Sequence, residues 1–320
     1  MKMARTKRRA RFLIVAKTTS YQTYVKERRD VRTTELLAKK DPAVRRLVAA
    51  HEAHESAVRE VRDAVKTLGI SAGFVTTDTM HDCAPGDFDV VVTVGGDGTL
   101  LSTSHGVGVT TPILGINSAP EHSVGFFCGA RNGDVKEAFT AVLEDRMPRT
   151  VVSRMQVDLN GVCLSRRVLN DALLCHEIPA ATSRYILTLR RGDGREEEEE
   201  QKSSGLWIGP AAGSTAAQRS AGGHLLPLTS RRIQYVVREP YTPTGNPLAL
   251  SRGTVDETGV IIIRSKMRQG KLFLDGPHVV HEVGLGDVVT LRRSDEDLTV
   301  LGLARSETAA RKPSRRPRRP

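Results

Sequence analysis

The sequence predicts an α/β domain built on a parallel sheet, followed by a β-rich, sandwich-like domain. Three observations predict this. Phe88–Val94 (FDVVVTV) is an apolar, β-branched run, the habit of a strand buried on both faces of a parallel sheet. Strand-like and helix-like segments alternate through the first ~150 residues. Beyond them hairpin signals take over, beginning with Asn160-Gly161 between two apolar stretches, a pair suited to left-handed turn positions.

In chain order, Phe12–Ala16 (FLIVA) reads as a first buried strand. A polar, helix-rich stretch follows over 22–68. Asp41-Pro42 marks a helix start, with a capping acid and a proline at the first helical position. Val58, Val61, Val65 and Leu68 fall on one helical face, with Glu55 placed to pair with Arg59, and Gly69 ends the element. His51 and His54 sit inside it in the string HEAHE. The spacing is not the HExxH of a zinc protease, so they are read as surface or packing residues. Phe88–Val94 runs directly into Gly95-Gly96-Asp97-Gly98-Thr99, then a helical segment, a strand at Ile113–Ile116 and an amphipathic helix over 133–144. Val151–Leu159 and Val162–Leu169 form the first hairpin, and Tyr185–Arg190 with Asp193-Gly194 continues the β pattern. The acidic run Glu196–Glu200 is read as a solvated loop. The α/β domain is therefore assigned to 12–149 with a return over 288–303, and the β-rich domain to 150–287. Residues 1–11 and 304–320 are read as disordered basic ends.

The chain has 320 residues, 39% hydrophobic and 27% charged, which excludes a minimal binding module and global disorder. Its formal charge of +11 is concentrated at the ends. Residues 1–11 hold six basic residues and no acid; 304–320 hold seven basic residues and Glu307. The body is thus close to neutral. The ends are read as solubility tails, with contact to nucleic acid or anionic lipid as the other reading. No aromatic residue interleaves with them as a stacking platform. A membrane span needs roughly 20 apolar residues in a row, and no such run or secretory h-region is present. Cys83, Cys128, Cys163 and Cys175 contain no CxxC and point to a reducing compartment, read as the cytoplasm.

The strongest chemical signal is GGDGT at Gly95–Thr99, directly after a buried strand. Glycines permit positive φ and close ligand approach, and a turn feeding a helix N-terminus attracts phosphate. Asp97 is then a candidate general base or magnesium ligand, or simply a cap on a tight turn. Neither GxxxxGK[ST] nor GxGxxG is present. Glu121, His122 and Ser123 resemble a hydrolase triad in composition alone, without a GxSxG elbow. His105 is read as a packing residue. Lys17 and Thr18 end the first strand, where sites of α/β folds gather.

GGDGT after a strand resembles the signature shared by NAD kinases, diacylglycerol kinases and sphingosine kinases. The order of later motifs narrows the resemblance to the NAD kinase family: GINSAPEHSVGFF (Gly115–Phe127), LNDALLC (Leu169–Cys175), SSGLWIGPAAGSTAAQRSAGG (Ser203–Gly223) and LFLDGP (Leu272–Pro277). QKSSG and NSAPEHSVG are more similar to the mitochondrial-type branch than to the ordinary bacterial type. The resemblance spans residues 12–291. It implies phosphoryl transfer from ATP, or another phosphate donor, to the adenosine ribose 2′-hydroxyl of NAD, giving NADP, with Mg²⁺ offsetting the donor charge. Asp97 would be the base. Gly95, Gly96, Gly98 and Thr99 would shape the phosphate-facing loop, with Asn117 and Phe126 at the nucleotide site. Asn170 and Asp171 would hydrogen-bond the dinucleotide. Gly213, Ser214, Thr215, Ala216 and Ser220 would form the facing loop. The resemblance also implies a homo-oligomer; no residue is assigned as a metal ligand.

Four departures accompany the resemblance. The family's Asn-Glu is Asn170-Asp171, the tyrosine of GSTAY is Ala217, TPTG is Pro210–Gly213, and the aspartate of GDGL is Ser204. An aromatic stack or a buried hydrogen bond contributes on the order of 1 kcal/mol. Three such losses would weaken dinucleotide binding by ~3 kcal/mol, roughly a hundredfold. Two other readings therefore stand beside NAD kinase. One is a related GGDGT kinase with a lipid or another nucleotide as acceptor. The other is a nucleotide-binding sensor with weakened catalysis. An aromatic content of 4% and the lack of an amphipathic membrane face weigh against a lipid acceptor.

Overall fold

The computed structural model describes residues 9–242 and 248–303. Most of the basic ends lies outside the described residues. The first sheet contains β1 (Arg11–Ala16), β2 (Ser71–Thr76), β3 (Val90–Gly95), β4 (Ile113–Asn117), β5 (Cys128–Arg131) and β6 (Arg149–Val152). Its path is β2-β1-β3-β4, with β5 added to β4 and all pairs parallel. β3 is central and buried at every position, as its two-faced apolar sequence requires.

The long connection after β1 holds α1 (Val31–Ala38) and α2 (Arg45–Thr67). Asp41 accepts from the Ala43 amide and starts the short turn that leads into α2. His51, His54, Ala57, Val61 and Ala64 form the buried face of α2. α3 (Asp97–Ser104) follows β3 with only Gly96 between them, and α4 (Val135–Leu143) packs Phe139 edge-on against Phe12 at 5.2 Å.

The second domain is two antiparallel sheets face to face. One contains β7 (Met155–Leu159), β8 (Val162–Val168), β10 (Ser183–Arg190), β11 (Glu196–Ser203), β15 (Val260–Ser265) and β18 (Val288–Arg293). The other contains β9 (Ala172–His176), β12 (Gly205–Gly209), β13 (Ile233–Arg238), β14 (Arg252–Val255), β16 (Gly270–Leu274) and β17 (Val279–Val283). Their inner faces share one core, with Val157, Leu187, Ile261 and Leu291 from the first sheet and Leu174, Leu206, Ile233 and Leu272 from the second. This is the aligned packing of a sandwich. The short helix α5 (Ala217–Ser220) lies in the connection from β12 to β13.

Two expectations change. Residues 288–303 do not return to the first sheet as a unit. β18 pairs with β7 and β15 in the sandwich, and β19 (Leu298–Leu301) alone crosses back, parallel to β4 and antiparallel to β6. The acidic run is not a loop. Glu196–Glu200 lies in the edge strand β11, paired in register with β10. Glu196, Glu197 and Glu200 meet Arg190, Arg191 and Lys266, and Glu198 accepts from Thr188 Oγ1. Neighbouring cations and hydroxyls offset the weak β propensity of glutamate, and charge on an edge discourages further strand addition. No helix among the described residues is long and apolar enough to cross a membrane.

Candidate active site

The site begins where β3 ends. Gly96 caps α3, and Asp97 is its first residue, so the carboxylate sits where exposed helix N–H groups favour negative charge. It accepts the backbone N–H groups of Phe126 (2.9 Å) and Phe127 (2.8 Å). Two charge-assisted bonds fix its orientation and leave lone pairs for a further donor. Cys128 lies behind it. Burial and the Asp97 charge push the Cys128 thiol up to about 12, so it stays protonated.

The glycines of this loop serve packing rather than a left-handed backbone. None of Gly95, Gly96 and Gly98 has positive φ. A Cβ on Gly95 would overlap the Thr99 side chain, and one on Gly96 would lie 2.5 Å from Ser123 Oγ. Gly98 is exposed, with nothing within 4 Å of its Cβ position. Asn117 ends β4 and holds the next loop. Its Nδ2 donates to the Ser123 carbonyl (3.1 Å), and its Oδ1 accepts from the Ala119 amide (3.2 Å). Gly125, at φ +65°, passes so close to Asn117 that a Cβ would collide with it.

The second wall comes from the sandwich. Leu169 and Ala212 share one hydrophobic cluster with Leu100, Leu101 and Phe127, and Phe126 packs against it. The Asn170 and Gly213 segments thereby abut the Asp97 segment. The carbonyl of Asn170 lies where a Cβ on Gly209 or Gly213 would be, which explains glycine at both positions. Ser214 is fully buried. Its hydroxyl donates to the Ala211 carbonyl (2.6 Å) and accepts from the Leu226 amide (3.0 Å), so it points inward and not into the cleft. Thr215 and Ser220 are exposed, and Ala216 is half-buried. Gln218, buried beneath them, donates to the Asn170 carbonyl (3.4 Å) and accepts from Gln234 (2.9 Å).

Asp275 organises this wall, a role the LFLDGP string did not disclose. Its buried carboxylate accepts the amides of Leu169 (2.8 Å), Asn170 (2.6 Å) and Asp171 (3.0 Å). His105, which ends α3, brings Nε2 to 2.9 Å from Asp275 Oδ2, off hydrogen-bonding alignment. The helix that starts with Asp97 is thus docked at its other end on the turn that positions Asp171. Burial, and then the Asp275 charge, raise the Asp171 carboxyl to about 7.

Arg154 reinforces the same junction from the link between β6 and β7. It is fully buried and donates to the carbonyls of Ser104 (3.0 Å), Val107 (2.9 Å) and Glu296. Burial and the Arg167 charge lower it to about 10, so it remains cationic at neutral pH. Arg167 donates to the His105 carbonyl (3.1 Å) and pairs with Glu296 (2.5 Å). Glu121 and His122 are exposed, and Ser123 packs on Gly96. Two surface cavities of about 530 and 400 Å³, beside α4 and at the far end of the sheet, contain none of these site residues.

A glycine turn at a helix N-terminus, a fixed carboxylate and an opposing polar wall suit transfer to a hydroxyl. Comparison with known proteins agrees with that chemistry. The profile of the ATP-NAD kinase N-terminal domain matches residues 3–147. A probable NADH kinase of Oryza sativa subsp. japonica is 34% identical over 231 residues, covering 67% of this chain and 71% of the relative. The chain belongs to the NAD kinase family. An NAD kinase of Syntrophotalea carbinolica is 30% identical over 271 residues, covering 76% of this chain and 87% of the relative. Among solved structures, yeast NADH kinase complexed with NADH superposes with a TM-score of 0.67 at 15% identity, covering 94% and 85% of the two chains. An Archaeoglobus fulgidus NAD kinase in complex with ATP gives 0.62 at 18% identity, covering 90% and 92%. At those identities the likeness is one of fold.

Proposed function

We propose that this protein is an NAD(H) kinase, transferring a phosphoryl group from ATP to the adenosine ribose 2′-hydroxyl of the dinucleotide. The observation that carries the reading is the Asp97 carboxylate, fixed by two backbone N–H groups at the mouth of a glycine turn, in a chain of this family. In this mechanism Asp97 accepts the 2′-hydroxyl proton as the oxygen attacks the terminal phosphorus, and the donor leaves as the diphosphate. The chain's main contribution is positioning. Gly95, Gly96, Gly98 and Thr99 shape the turn for the phosphates, and Lys17, at the same end of the sheet, offers a cation to them. Burial lowers the pKa of Lys17.

Phe126 and Asn117 set the first wall, Asn117 by holding its loop rather than by touching the nucleotide. Asn170 and Asp171 hydrogen-bond the dinucleotide from the second. Gly213, Thr215, Ala216 and Ser220 face it, with Ser214 contributing through the backbone because its hydroxyl is used internally. With a carboxyl raised to about 7, Asp171 offers either a donor or an acceptor near neutral pH. Two plant relatives named NADH kinases, at 34% and 32% identity, support the reduced dinucleotide as an acceptor. No three His, Cys, Asp or Glu side chains converge into a cation cage among the described residues. Mg²⁺ is assigned to the donor, as the Mg·ATP substrate. The four cysteines are free, which supports the cytoplasm as compartment. A homo-oligomer belongs to the reading through family resemblance.

The test is formation of NADP or NADPH by the purified chain with ATP, Mg²⁺ and NAD or NADH, read with a dehydrogenase specific for the phosphorylated product. Asp97→Asn should fold as the parent does and lose turnover by at least about 10²-fold, the lower end of general-base contributions. Parent-like activity in that variant would remove Asp97 as base.

A further inference from the structure

The two histidines of HEAHE are not used by the mechanism above, yet both are buried, at 7% (His51) and 2% (His54) exposure. They meet different partners. His51 Nδ1 lies 2.8 Å from Thr19 Oγ1, and Tyr21 stacks on its ring at 4.8 Å. His54 Nδ1 lies 3.1 Å from Ser118 Oγ, and the ring lies beside Lys17.

Lys17 and Ser118 are the two residues that close the sheet around β3. The Lys17 amide donates to the Val94 carbonyl (3.1 Å), the last rung between β1 and β3. The Ser118 amide donates to the Gly95 carbonyl (2.9 Å), the last rung between β3 and β4. Immediately beyond these rungs lie Gly96 and Asp97. Terminal rungs of a ladder are held from one side only and open most easily. A buried imidazole bonded to Ser118 and packed beside Lys17 braces the end of the sheet where both rungs lie. The ring suits this because a neutral imidazole has one donor and one acceptor. Burial, then the Lys17 charge, lower His54 to about 4, so the neutral form prevails at neutral pH. In that form Nδ1 and the Ser118 hydroxyl share one hydrogen bond.

We propose that His54 is a positioning residue for phosphoryl transfer, bracing Ser118 beside Lys17 and thereby holding the Gly95–Asp97 turn in register from behind. The inference rests on Asp97 being the base. Phe126 and Phe127 hold the carboxylate from the front; His54 holds the backbone that carries it. Displacement of a catalytic group by about 1 Å can lower turnover by 10²-fold, so the expected signature is in kcat.

The experiment compares full-length His54→Leu, Ser118→Ala, their double variant, His54→Asn and His51→Leu in the assay above, with thermal melts of each. His54→Leu and Ser118→Ala should each lower kcat by about tenfold or more, with KM for dinucleotide and ATP within about threefold. The double variant should be no slower than the slower single variant, because both remove one linkage. His54→Asn restores an acceptor near Nδ1 and should recover part of kcat. His51→Leu should lower the melting temperature comparably and leave kcat unchanged, because Thr19 makes no bond to the turn. Parent-like kcat in Ser118→Ala, whose small change preserves folding, overturns the proposal. So does a kcat for His54→Leu equal to that of His51→Leu. An active Asp97→Asn would instead remove the underlying reading, whereas an inactive Asp97→Asn beside fully active His54 and Ser118 variants removes this inference alone.

Discussion

Asp171 offers a stability test with a defined sign. Its carboxyl, 6% exposed, sits beside the Asp275 carboxylate and is raised to about 7 from a model-compound value of 3.8. A folded-state pKa above the unfolded one means that the native protein binds the proton more tightly. Stability is then full below about pH 4 and is lost as pH rises through 7. At about 1.4 kcal/mol per tenfold change in affinity, the loss over the whole range is at most about 4 kcal/mol. Asp171→Asn removes the ionisation and keeps a similar shape. Urea denaturation of both proteins at pH 5 and pH 8 should give a parent that becomes less stable relative to Asp171→Asn by about 2–3 kcal/mol across that interval. Equal pH dependence in the two proteins would mean that Asp171 is ionised or solvated throughout, and the argument from its burial would fail.

Other perturbations separate packing from chemistry. Asp275→Ala leaves three amides without their acceptor and places alanine at φ +50°; at about 1–3 kcal/mol per unsatisfied group it should cost at least 3 kcal/mol in chemical denaturation. Asp275→Asn keeps an acceptor and tolerates that backbone, so its cost should be at least about 1 kcal/mol smaller. Gly213→Ala forces a methyl into the Asn170 carbonyl and should destabilise by more than about 2 kcal/mol on the same measurement. Gly98→Ala meets nothing within 4 Å and should keep or gain up to about 1 kcal/mol. Its KM for ATP should rise, because the methyl faces the proposed phosphate position.

Legibility followed the range of the interactions. β3 and the turn after it were plain because a doubly buried strand and a glycine run are local signals, and the hairpins were marked by Asn-Gly and Asp-Gly. The reason for the loop glycines was not local. Gly95 and Gly96 are required by Thr99 and Ser123 folding back over them, not by a left-handed turn. The acidic run misled because glutamate disfavours strands in isolation; its register opposite Arg190, Arg191 and Lys266 exists only in the folded sheet. Arg154 carries no signal in sequence, since arginine is ordinarily exposed and its partners are backbone carbonyls about fifty and one hundred and forty residues away. Asp275 was visible as a turn residue, but its acceptor role depends on three consecutive amides from the connection between β8 and β9.

These nonlocal contacts share a consequence. Asp97 opens α3 and His105 closes it. His105 rests on Asp275, which holds Asp171. Arg154 grips the carbonyls of Ser104 and Val107 at the same end of the helix. α3 therefore acts as a short rigid spacer between the proposed base and the dinucleotide-facing carboxyl on the opposite wall. Loss of the His105 or Arg154 contacts should alter kcat and dinucleotide KM together, whereas loss of the His54 linkage, which acts on the Asp97 end alone, should alter kcat. A buried cation left without its partners is strongly destabilising, so His105→Gln, which preserves the Arg154 contacts, is the variant that separates these outcomes.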